Sequence, residues 1–146
     1  MNLKKTILCL VSAIPLLFSF GCERPQETRE PGATKKPHKI AILLVSDMYL
    51  SSSAKGLKEG MQKLGYREGK NIEYFIYNAK GDMSRLKALA GEIVSSKPDV
   101  ICPSTIVAVD AVRETKTNLP VVFLESMYPV EFGVVKSLTM PGANYT

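Results

Sequence analysis

A doubly wound, parallel α/β sheet is the fold this sequence predicts. Three observations carry that expectation. From Lys39 onward, short apolar runs alternate with segments of helical periodicity. The first run, Lys39 to Val45, is apolar after its opening lysine, as in a strand covered on both faces. The connections are short, which suits successive β-α-β units packed on one sheet.

Each element has its own signal. Lys39 to Val45 is the first strand. Ser51 to Ser53 offer N-cap oxygens to a helix whose Ala54, Leu57, Met61 and Leu64 fall at helical spacing. Gly65 suits the residue just past that helix, and Tyr66 to Lys70 turns the chain. Asn71 to Asn78 is aromatic and β-branched, a second strand. Asp82 caps a second helix carrying Met83, Leu86, Leu89, Ala90, Ile93 and Val94 on one face, and Lys97-Pro98 breaks it. Asp99 to Pro103 forms a third strand. Ser104 and Thr105 open a helix that buries Ala108, Val109 and Val112. Leu119-Pro120 precedes a fourth strand, Val121 to Leu124, and Val130 to Leu138 is a short helical or loop segment.

The chain ahead of this pattern has a different character. Lys4 and Lys5 precede an uncharged apolar run, Ile7 to Phe20, closed by Gly21-Cys22. That order is the mark of an exported chain. The run is shorter than the roughly 20 apolar residues needed to span a bilayer, and Pro15 disfavours one uninterrupted helix. The small residue before Cys22 resembles a bacterial lipoprotein processing site, with Ser19 where Leu is usual. Residues 1–22 are therefore expected to be a lipoprotein-type signal peptide with Cys22 lipidated. Residues 23–38 are polar and rich in Pro, Glu, Lys and Arg, as in a disordered tether. Residues 39–146 form the domain. The expected location is the periplasm or the outer face of the cell membrane, with a lipid anchor.

Composition excludes several classes of function. From Lys39 onward there are 13 Lys and Arg against 11 Asp and Glu, scattered, which is no nucleic-acid footprint. Cys9 falls in the leader, Cys22 at the lipidation site and Cys102 in an apolar run, so no pair remains for a disulfide. The single histidine, His38, stands ahead of the domain, which argues against a His-based triad or metal site. The loop from Ser46 to Ser53 lacks the glycine pattern of nucleotide-binding loops. No acid, base and nucleophile set is evident, so the chain is not expected to be an enzyme or to need a cofactor or metal.

Ligands of doubly wound sheets sit beyond the carboxyl ends of the strands. Three hydroxyl-bearing loops occupy that rim: Ser46 to Ser53, Pro103 to Thr105, and Glu125 to Pro129. The candidate ligand-binding residues are Ser46, Asp47, Ser104, Thr105, Ser126 and Met127. Asp47 either pairs with a ligand amino group or is a solvated loop carboxylate. Ser104 and Thr105 either meet an anionic group at a helix N-terminus or simply cap that helix.

A series of motifs points further. They are Gly56-Leu57-x-Glu59-Gly60, Leu64-Gly65-Tyr66-x-Glu68-Gly69-Lys70-Asn71-Ile72, Ala79-x-Gly81-Asp82 with Arg85-Leu86, and Lys97-Pro98-Asp99-Val100-Ile101. Leu119-Pro120-Val121-Val122-Phe123, Pro129-Val130-x-x-Gly133 and Pro141-Gly142-x-Asn144-x-Thr146 follow. In order and spacing, Lys39 to Thr146 resembles the substrate-binding proteins of ABC importers, a family that includes binders of aromatic amino acids. The resemblance implies one flavodoxin-like lobe of a type I periplasmic-binding-protein fold. It implies capture of a small solute, such as an amino acid, between two lobes and delivery to an ABC permease. An extracytoplasmic sensor lobe feeding a signalling partner is the alternative. The family often reads Asp-Pro-Val after the fourth strand, whereas this chain has Tyr128-Pro129-Val130. The motif at Thr146 normally leads into a further strand and the second lobe. The domain is thus expected to be incomplete, and to bind a ligand weakly or not at all by itself.

Overall fold

Strand β1, His38–Leu44, is the centre of the sheet, as its unbroken apolar run requires. The computed structural model describes residues 36–49 and 52–146. The expected leader, the lipidation site Cys22 and the tether up to residue 35 lie outside the described residues. After β1 come a short 3-10 turn, Asp47–Tyr49, and helix α1, Ser53–Lys63. Strand β2 (Ile72–Asn78), helix α2 (Met83–Ser96), strand β3 (Val100–Pro103) and helix α3 (Ile106–Glu114) complete the order.

All strand pairs are parallel and the order is β2-β1-β3. Successive side chains of a strand point to opposite faces, and β1 sorts its residues accordingly. Ala41 and Leu43 pack with Leu86, Ala90 and Ile93 of α2 and Ala108, Ala111 and Val112 of α3. Ile40, Ile42 and Leu44 pack with Ala54, Leu57 and Met61 of α1. Helices cover both faces, so the sheet is doubly wound. Fully burying one Leu or Ile side chain is worth about 1.5–3 kcal/mol. Ile42, Leu43 and Leu44 are each inaccessible to solvent, so β1 alone supplies a large share of the core.

The helix ends follow their local chemistry. Asp82 is the N-cap of α2, its carboxylate accepting from the backbone N–H of Ser84 and Arg85. At the end of α1, Gly65 takes φ +91°. Its N–H donates to Gln62 O and that of Tyr66 to Met61 O, a Schellman motif. Leu64, expected on the buried face, is instead the C-cap and lies mostly exposed, because the chain leaves the helix there. Met83, expected on the buried face of α2, is partly exposed in its first turn.

The expected fourth strand is reduced to an extended segment. Ile101 N–H donates to Pro120 O, Val122 N–H to Ile101 O, and Leu124 N–H to Pro103 O, a parallel ladder beside β3. Regular pairing shrinks to single bridges at Val121, one to Ile101 and one to Tyr145. Proline 120 has no N–H to extend the ladder. The outward N–H groups of Val121 and Phe123 meet Asn144 O and Thr146 O, so residues 144–146 lie along the outer side.

Candidate functional site

Three chain segments converge at the carboxyl end of the sheet around an open cavity of about 890 Å³. The end of β1 contributes Val45, and the start of α3 contributes Thr105, Ile106 and Val107. The segment after the extended strand brings Leu124, Glu125, Ser126, Met127 and Tyr128, with Phe132 beyond it. The lining is mainly apolar, with a few polar groups set at its edges.

Helix α3 aims its first turn at this cavity. Thr105 is the N-cap, and its hydroxyl accepts from Ala108 N–H at 3.4 Å. Val109 N–H donates to Thr105 O. The N–H groups of Ile106 and Val107 are left without intrahelical partners, as at any helix start. They carry the partial positive charge of the helix terminus. Opposite in sign, Glu125 receives hydrogen bonds from the hydroxyls of Ser52 and Ser53 at the start of α1. Those serines therefore serve the rim: Ser52 is the N-cap residue of α1 by position, but its side chain makes no capping bond.

Two hydroxyls stand apart. The Oγ atoms of Ser104 and Ser126 are both buried, and neither has a hydrogen-bond partner among the described residues. Ser104 is inaccessible to solvent and is fixed by its backbone N–H to Leu43 O at 3.0 Å. Ser126 belongs to the cavity lining, and Ser104 immediately precedes the lining residue Thr105. A buried hydroxyl without a partner carries a real desolvation cost.

The rim loop is held by its own turn. Tyr128 adopts φ +58°, a left-handed conformation that non-glycine residues seldom take. Phe132 N–H donates to Tyr128 O, and Val134 N–H to Pro129 O. The Arg113 guanidinium reaches Phe132 O from α3. Met127 and Tyr128 are left largely exposed beside the cavity.

The six residues singled out by sequence do not all meet. Thr105, Ser126 and Met127 line the cavity together. Ser104 is buried and outside the lining, next to Thr105 in the chain. Ser46 follows Val45 but is outside the lining, and Asp47 points to the other end of the rim. There the Asp47 carboxylate accepts from Lys80 Nζ at 2.8 Å and Asn78 Nδ2 at 2.7 Å. The hydrogen bond from Lys80 holds the Asp47 carboxyl below its usual value. Sequence reasoning did not select Val45, Ile106, Val107, Leu124, Glu125, Tyr128 or Phe132 as site residues. Val107 carried one usable signal, since an apolar residue off the buried face of α3 has no reason to be there on packing grounds. Among the described residues, no three His, Cys, Asp or Glu side chains gather as a metal site.

The known proteins that this chain resembles in sequence and architecture agree with one another. Residues 39–146 match the family described as ABC transporter substrate binding protein. A tyrosine-binding protein from Clostridioides difficile (strain R20291) is 33% identical over 124 residues, covering 85% of this chain and 36% of the relative. The crystal structure of a conserved domain protein from Vibrio cholerae superposes with a TM-score of 0.71 at 30% identity, covering 76% of this chain and 38% of that one. A ligand-free, open structure of a substrate binding protein with adhesive properties from Clostridium difficile gives 0.69 at 27% identity, covering 75% and 37%. An ABC domain in complex with L-Trp from Streptococcus pneumonia has the same fold, with a TM-score of 0.70 at 24% identity over 76% and 38%. This chain thus spans a little over a third of the length of each of these proteins. With the family matched over the whole sheet and its helices, the chain belongs to the ABC transporter substrate-binding proteins.

Proposed function

We propose that this chain supplies one lobe of an extracytoplasmic, non-enzymatic receptor that captures an amino acid and hands it to an ABC permease. The observation that carries this reading is the cavity at the start of α3, whose lining brings the first turn of that helix and the Glu125 carboxylate together. An amino acid has a carboxylate, an ammonium and a side chain. Its carboxylate suits the free N–H groups of Ile106 and Val107, which favour an anion. Its ammonium suits Glu125. An aromatic or large apolar side chain suits the surface made by Leu124, Met127, Tyr128 and Phe132. The Ser126 hydroxyl then gains the partner it lacks among the described residues. Thr105, Ser126 and Met127 are the ligand-binding residues of this reading. Ser104, Ser46 and Asp47 lie outside the lining. Tyrosine is the ligand named for the relative from Clostridioides difficile, which favours an aromatic amino acid here.

Residues 39–146 form one face of the cleft in this reading, and a second lobe closes over the ligand. Lipidation at Cys22, with residues 23–37 as tether because His38 already opens β1, keeps the receptor beside its permease. The test is an NMR titration of the isotope-labelled chain with L-tyrosine, L-tryptophan and L-alanine. The aromatic pair shifts the amides of Ile106, Val107, Ser126 and Met127 and leaves those of β2 in place. Equal response to all three, or shifts confined to other surfaces, overturns the reading.

A further inference from the structure

We infer that the free edge of β2 is a self-pairing surface, through which two copies of this chain join their sheets about a two-fold axis. Strand β2 closes the sheet on the side away from the cavity, since the order is β2-β1-β3. Its hydrogen-bonding phase is fixed by the contacts at its two ends. Asn71 O accepts from His38 N–H, and Ala79 N–H donates to Leu44 O. Odd-numbered residues therefore face β1, and even-numbered ones face outward. Ile72 confirms the phase, because its O accepts from Gly69 N–H in the turn outside β2. Beyond that turn, the outward N–H and C=O groups of Tyr74 and Ile76 have no partner among the described residues.

Natural proteins blunt such edges with Lys, Pro or bulges. This edge has none of them. Its sequence is IEYFIYN, with Glu73 its one charge, and Phe75 and Ile76 are more than 40% exposed. An open ladder with apolar side chains on both faces is suited to strand addition.

The occupant is a second copy because the strand is complementary to itself. A two-fold axis through Phe75 sets Phe75 opposite Phe75 of the second copy. Tyr74 then faces Ile76, and Ile76 faces Tyr74, so the outward-pointing residues meet as hydrogen-bonded pairs. Aromatic pairs and aromatic with β-branched pairs are favourable across strands. Glu73 falls opposite Tyr77, so no like charges meet. The neighbouring surface is also neutral and mixed in sign. Lys55, Lys58, Glu59 and Glu68 flank a groove of about 400 Å³ beside Ile76. Lys58 is bonded to Glu68 at 3.0 Å and lies over the Tyr74 ring. A patch with two cations and two anions meets its own copy without net repulsion, as an isologous interface requires. The cavity at the other side of the sheet stays open in such a pair.

Sedimentation of the purified chain over a range of concentrations, with cysteine cross-linking, tests the pairing. The chain is expected to show a concentration-dependent dimer. Phe75→Cys places thiols at a non-hydrogen-bonded antiparallel pair, where Cα atoms are about 4.5 Å apart and disulfides form. Under a mild oxidant it yields a covalent dimer whose linked peptides map to position 75. Glu73→Cys, on the same face but off the axis, yields none. Ile76→Pro removes an outward N–H that the sheet itself does not use, so it gives a monomer with unchanged circular dichroism. A monomer at every concentration, or cross-linking at 73 as efficient as at 75, overturns the proposal. A dimer that survives Ile76→Pro, or that requires another protein to form, does so too. Should Ile76→Pro fail to fold, the comparison of positions 75 and 73 decides alone.

Discussion

The Ser53 hydroxyl donates to the Glu125 carboxylate, tying the start of α1 to a rim loop 72 residues later in the chain. Ser52 adds a second bond to the same oxygen at 3.3 Å. The carboxylate is thus held in place by neutral donors, and among the described residues no cation pairs with it. Glu125→Ala is expected to lower stability modestly, by about 1 kcal/mol, since a typical net hydrogen bond is worth that much. Its larger effect falls on ligand affinity, a weakening of about tenfold, or 1.4 kcal/mol. Glu125→Gln retains an acceptor for the serines and loses the charge, so it keeps stability and still loses affinity. Urea unfolding and NMR titration of both variants check the split. Unchanged affinity in Glu125→Gln removes the ammonium role.

Asp82 offers a cleaner stability test. Its carboxylate accepts from two N–H groups of the first turn of α2, at 2.8 and 3.1 Å. Asp82→Ala is expected to cost about 1 kcal/mol, the usual value of an N-cap. Asp82→Ser should recover most of it, because the hydroxyl accepts the same bond. Asp82 is not among the residues that line the cavity, so amino-acid binding stays unchanged in both. Denaturant midpoints supply the measurement.

Such local devices are what a sequence displays openly. Asp82, Thr105 and Gly65 act within a few residues of themselves, and each does what its type suggests. Strand β1 was equally legible, since an apolar run between helical segments has few other uses. The less visible features depend on distant partners. Ser52 and Ser53 read as caps, yet their hydroxyls go to Glu125, which only the folded sheet brings near. The segment from Val121 to Leu124 reads as a strand, yet its pairing depends on how β3 and residues 144–146 flank it. Part of the site was hidden for the same reason. Ile106 and Phe132 look like ordinary core residues until the fold turns them to one cavity.

Cys102 predicts an alkaline signature. Burial in β3 pushes its thiol from 9.0 up to about 12. The folded state therefore keeps the proton over a range where the unfolded chain releases it. Stability is fully present below pH 9 and falls as pH rises toward 12, by about 1.4 kcal/mol per pH unit from this group. Cys102→Val keeps about the same volume and removes the group, so the stability of the parent chain relative to the variant should fall across that window. Urea midpoints at several alkaline pH values measure it. A difference independent of pH refutes the assignment. At pH 8 the thiol should also resist alkylation until the chain unfolds.

The two orphaned serine hydroxyls separate structural from ligand-facing roles. Ser104 and Ser126 both bury Oγ without a partner among the described residues, and an unsatisfied buried polar group costs about 1–3 kcal/mol. Replacing either by alanine removes that cost while leaving little empty space. Both Ser104→Ala and Ser126→Ala are therefore expected to unfold at higher urea than the parent chain, which is unusual for a buried substitution. Their binding behaviour should differ. Ser126 lines the cavity, so losing its hydroxyl should weaken aromatic amino-acid binding about tenfold, the value of one lost hydrogen bond to a charged group. Ser104 lies outside the lining and should leave affinity as it was. A gain in stability coupled to a loss in binding at 126 alone marks that hydroxyl as reserved for the ligand. Equal binding losses at both positions move Ser104 into the site, and a loss of stability at 126 shows that its hydroxyl already has a structural partner.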